Sequence, residues 1–168
     1  MRKLICAVMA VSMIFLSASC GKKENALQTE VGRLYARDLF TKEEATEFLG
    51  YEPVQSYEDG IIKSTVRYDS QPIGKDPVIV ELYAESEQKS ASDIYDEFKR
   101  KHSLRADSVE VTEYDSEAFI AYPSVNIYKD GYMAVVTAGS GADDAQKEIL
   151  IKAGAAVSKK LCEYAAKK

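Results

Sequence analysis

Five places in this chain of 168 residues have the residue types that chemistry needs. Asp115 and Glu117 flank Ser116 ahead of the apolar run AFIAY. Two carboxyl groups can divide general acid and general base work, and sugar hydrolysis needs them roughly 5 to 9 Å apart across a cleft. At the start of a strand, alternation puts both on one solvated side, so a charged turn outweighs an acid-assisted hydrolase. His102 is the only histidine, and any Ser-His-Asp or Cys-His device must use it. Lys99, Arg100, Lys101 and Arg105 surround it, a setting that suits the carboxyl end of a helix better than a general base. An anion-binding patch is the competing reading. With one histidine and few cysteines, neither a transition-metal site nor any other cofactor is expected.

The stretch AGSGADDAQ has the look of a dinucleotide loop, but its third glycine would fall on Asp144. Asp143 and Asp144 would repel a pyrophosphate, whereas their carboxylates suit the amino-terminal cap of a helix. Cys162 follows Leu161 on that last helix and is expected to be buried as a small hydrophobe rather than to react as a thiol. Tyrosine is the most informative residue, with eleven copies, all beyond residue 19. Tyr83, Tyr128 and Tyr114 are expected to project from strand faces opposite the aliphatic core. Tyrosine gives large contact area at low entropy cost, which makes these three a candidate binding surface, although tyrosine is also a good strand former.

The remaining reactive position is Cys20. Arg2 and Lys3 precede LICAVMAVSMIFL, Leu4 to Leu16, which is apolar except at Ser12 and has the form of an export signal. The run falls short of the roughly 20 residues that span a bilayer. Ser17, Ala18 and Ser19 then supply the small side chains that a signal peptidase accepts, and a cut after Ser19 leaves Cys20 first. Here LSASCG resembles the lipobox of bacterial lipoproteins, with Leu16 four places before the cysteine where that family has leucine three before. The resemblance implies a lipid on Cys20. Two or more acyl chains hold a protein stably on a membrane. The competing ideas are a soluble secreted protein, in which Cys20 could bridge to Cys162, and an uncleaved anchor.

Removing residues 1–19 leaves 149, enough for one domain with a real core. That segment holds two of the 22 basic residues and none of the 27 acidic ones, so the net charge falls from −5 to −7. An acidic domain argues against a nucleic-acid partner and against electrostatic adhesion to anionic lipid.

Residues 20–27 are expected to be the lipidated cysteine and a short tether, with a single domain over 28–168. Helix is expected through Leu27, Val31, Leu34 and Leu39, then from Thr41, whose spacing to Glu44 makes a capping box, to a stop at Gly50. Asp59-Gly60 and Asp130-Gly131 are two-residue hairpin signals that need positive φ. VIVELYA should turn Val78, Val80 and Leu82 inward, and Val135 and Val136 mark a central strand. A helix over about 92–102 and a closing helix through Leu150, Ala153, Val157, Leu161 and Tyr164 complete the order. Segregated helices and strands predict an α+β fold, an antiparallel β-sheet packed against helices.

The pieces EATEFLG, STVRYDS with VIVELYA, YDSEAFIAY and NIYKDGYMAVVTAG before a closing helix resemble small exported lipoproteins with a PsbP-like α+β domain. That resemblance implies the same fold, and no functional residues carry over from it. The expected function is a membrane-anchored extracytoplasmic module. It would act by binding an envelope protein or small ligand, or as an accessory subunit of an envelope complex.

Overall fold

In the computed structural model, residues 33–70, 77–84, 90–105, 107–139 and 144–167 are described. The expected signal segment, Cys20 and the expected tether lie outside them, as does Asp143. Alternation of apolar and polar side chains builds seven strands: β1 (Val54–Asp59), β2 (Lys63–Asp69), β3 (Val78–Ala84), β4 (Ser108–Val111), β5 (Glu117–Ala121), β6 (Ser124–Lys129) and β7 (Tyr132–Ala138). All pair antiparallel in one sheet of order β1-β2-β3-β7-β6-β5-β4. Two meanders, β1 to β3 and β4 to β7, are joined where β3 meets β7, with Val80 opposite Val136 and Leu82 opposite Ala134. Four helices pack on this sheet, α1 (Ala36–Leu39), α2 (Lys42–Leu49), α3 (Ala91–His102) and α4 (Asp144–Ala165). The α+β reading is correct.

One sheet face carries the main core. Val66, Tyr68, Val78, Val80, Leu82, Val125, Ile127 and Val136 lie under Leu39, Phe40 and Ala45 and under Leu150, Ala153, Val157 and Leu161 of α4. Tyr68 is wholly buried, and its hydroxyl donates to the Phe40 carbonyl. A buried phenol needs such a partner, and this one ties β2 to the turn before α2. The opposite face is covered by α3, whose Ala91 and Tyr95 pack on Phe119, Ala121, Met133 and Val135.

Local chemistry sets the helix ends. The Thr41 hydroxyl accepts from the Glu44 amide at 3.4 Å while Glu44 Oε2 accepts from the Thr41 amide at 2.8 Å, and Gly50 closes α2 at φ 71. Ser90 and Asp93 form the same box at α3. Lys160 of α4 reaches across to Glu44 Oε2 at 2.6 Å, joining α4 to α2.

The turn at Asp130-Gly131 has positive φ at both residues, 45 and 85, as expected. The Asp59-Gly60 hairpin differs. Asp59 pairs with Ser64, and the Gly60 amide donates to the Lys63 carbonyl at 2.9 Å, so the connection is a wider loop that leaves Ile61 and Ile62 at its tip instead of in β2.

Helix α4 sits unusually close to β6. A Cβ added at Gly154 would lie 2.8 Å from Val125 Cγ1 and 3.0 Å from the Tyr114 hydroxyl. Alanine is the better helix former by about 1 kcal/mol, yet overpacking costs about 1–3 kcal/mol. Gly154→Ala should therefore lower the urea midpoint; a raised midpoint would show that this contact is not tight.

Candidate functional site

The β6–β7 hairpin and the bend that leads into β5 end at the same side of the sheet. Residues 113–116 leave the strand path after β4 and fold toward α4. Three bonds fix that bend: the Tyr114 hydroxyl donates to the Ile151 carbonyl at 3.0 Å, Ser116 Oγ and Ser158 Oγ share a hydrogen bond of 2.8 Å, and Cys162 Sγ donates to the Asp115 carbonyl at 3.4 Å. Ser116 is thus turned inward, and the carboxylates on either side of it are left exposed. Glu117 begins β5 directly opposite Tyr128 of β6.

A recess of about 380 Å³ results, with Tyr114, Asp115 and Glu117 on one side and Tyr128, Lys129 and Asp130 on the other. Four residues singled out in the sequence for two unrelated reasons share this hollow. Three carboxylates face one ammonium, and Lys129 Nζ lies 3.9 Å from Asp130 Oδ2, too long for a tight pair. The Tyr128 ring is braced from behind by Tyr95, centroids 5.6 Å apart. Burial pushes the Tyr114 phenol upward from its ordinary value, with Glu113 adding in the same direction. At neutral pH it is a neutral donor, which its bond to Ile151 requires.

The tyrosines do not form the single face expected of them. Tyr83 and Tyr128 do lie opposite the main core, but both pack at the margin of the α3 cluster. Tyr114 belongs to the other side, in the bend and against the main core. Tyr83 is instead held by charge: its hydroxyl donates to Glu81 Oε2 at 3.2 Å, and Lys63, itself paired with Glu81, lies 5.3 Å from its ring centre. Burial, then the Glu81 charge, raise this phenol also.

His102 lies at the end of α3 with its ring between Phe98 and Phe119, centroids 6.3 and 6.4 Å away. Its Nδ1 is buried and without a hydrogen-bond partner. Three of the four cations around it are engaged: Lys99 pairs with Glu110 at 2.8 Å, Lys101 with Glu97 at 2.7 Å and Arg105 with Asp107 at 2.7 Å. Those pairs leave little of an anion patch. Among the described residues, no group of histidine, cysteine and carboxylate side chains could hold a metal ion, and no helix is long and apolar enough to cross a membrane.

No family model, curated protein or solved structure matches this chain.

Cys162 is only partly buried, but burial pushes its thiol upward from the ordinary value, against the pull of Lys129. The thiolate is the reactive form, so native Cys162 should alkylate with iodoacetamide at pH 8 more slowly than the unfolded chain. A native rate equal to or above the unfolded one would contradict this. The sign also sets a pH dependence: the unfolded thiol ionises first, so the contribution of Cys162 to stability should fall as pH rises above its ordinary value.

Proposed function

We propose that the chain is a membrane-tethered extracytoplasmic lipoprotein whose α+β domain works by binding. The tether is supported by the export-type start, the small residues Ser17 to Ser19 and the cysteine directly behind them. One observation carries the binding reading: Tyr114 and Tyr128 converge with Asp115, Glu117 and Asp130 on one recess. Aromatic faces and carboxylates both attract a cation, and a hollow of about 380 Å³ has the size of a small-ligand site. The ligand chemistry it suits is an alkylammonium group, free or as a lysine side chain on an envelope protein. Hydrolysis by Asp115 and Glu117 is the weaker reading. A general acid works best when held away from water, and both side chains are exposed.

Intact mass tests the tether. The mature protein should begin at Cys20 and carry acyl chains, and Cys20→Ser should abolish both the added mass and sedimentation with vesicles. A Cys20→Ser product that matures normally and still sediments would refute it. For the recess, an alkyl diamine should shift the backbone amide resonances of 114–117 and 128–130, and each of Asp115→Asn and Glu117→Gln should weaken it about fivefold, as expected for losing one exposed ion pair. Shifts produced equally by a dicarboxylate, or confined to other residues, would remove this site.

A further inference from the structure

We propose that the β1–β2 hairpin tip is a second membrane contact, dipping Ile61 and Ile62 into the headgroup region of the bilayer that holds the anchor. This rests on the lipid at Cys20 proposed above. The tip is apolar where a soluble loop is ordinarily polar: Ile61 is 61% exposed and Ile62 43%, with Tyr57, 62% exposed, set back from them on β1 opposite Val66. Tyrosine sits at the headgroup level of membranes, with aliphatic side chains deeper.

The chain reaches its folded domain at this same tip. Arg33 Nη2 donates to the Gly60 carbonyl at 2.5 Å. The Arg37 guanidinium pairs with Asp59 and lies 4.3 Å from the Tyr35 ring centre and 4.7 Å from that of Tyr57. These bonds fix the first described residues against the hairpin. Cys20 precedes Arg33 by thirteen residues, a reach of at most about 45 Å. A protein anchored at Cys20 is drawn toward its bilayer from the side that bears Ile61 and Ile62. The opposite end of the sheet, where Arg105 Nη2 donates to the Tyr122 carbonyl at 2.8 Å, points away.

Charge selects the kind of lipid contact. Arg37 is matched by Asp59 and Lys63 by Glu81, and Arg33 on the Gly60 carbonyl is offset in number by Glu58, so the tip offers no net surplus of cations to anionic headgroups. Insertion is apolar, about 5–10 Å into the headgroup and acyl boundary, and does not depend on anionic lipid.

The test uses the acylated mature protein in phosphatidylcholine vesicles, with Cys162→Ser to remove the native thiol. An environment-sensitive fluorophore is placed through Ile61→Cys, or as a control through Leu104→Cys, which is 94% exposed at the far end of the sheet. The probe at 61 should emit at shorter wavelength and be quenched by nitroxide-bearing lipids, while the probe at 104 does neither. A probe at 61 as wet as that at 104, on protein shown by mass to be acylated and by sedimentation to be bound, overturns the tip contact but leaves the anchor standing. A shift that grows with protein density and is not quenched by lipid would mean a second copy seated on the tip, and also overturns it. A mature protein without acyl mass overturns anchor and tip together.

Discussion

The pairing of β3 with β7 is the constraint on which the rest of this structure depends. The β1–β3 meander could not bury its apolar face alone, because of the helices only the short α1 packs closely on β2 and β3, whereas α4 lies over β6 and β7. Register at the seam puts Val78, Val80 and Leu82 on the same face as Ala138, Val136 and Ala134. A slip of one residue would turn that whole set to the opposite face, so the seam fixes both halves of the core at once. The small side chains Ala134 and Ala138 on β7 and the close approach of Gly154 to Val125 on β6 let the long helix settle beside this joint.

Features governed by near neighbours were legible in the amino-acid order. Thr41 with Glu44, Gly50, the turn at Asp130-Gly131 and the alternation of β3 each depend on contacts within a few residues, and each forms as read. The features that were not legible depend on distant groups. Asp59-Gly60 carries the same dipeptide signal as Asp130-Gly131, but Arg33 holds the Gly60 carbonyl and the loop opens. Lys160 pairs with Glu44 of α2, a partner far away in the chain that no local pattern announces. The crossing of α3 to the second face, which buries Tyr95, has no local signature, since the helix follows β3 and must clear three strands before β4 begins.

The recess shows the same division. Asp115, Glu117, Tyr114 and Tyr128 were each noticeable by type, but their meeting follows from the register of β5 on β6 and from a bend pinned to α4 by Tyr114, Ser116 and Cys162. Strand alternation predicts faces, and a residue in a bend has none. That is why Tyr114 belongs with the main core instead of beside Tyr83.

The sheet does not close into a barrel, so β1 and β4 remain as edges. Strand β4 is only four residues long, which limits what can add to it. Strand β1 is longer and almost wholly exposed, but it carries Glu58 and Asp59 toward one end. Two such strands laid side by side in parallel register would set like charge against like charge. Parallel in-register stacking through β1 is thereby disfavoured, even for molecules crowded together.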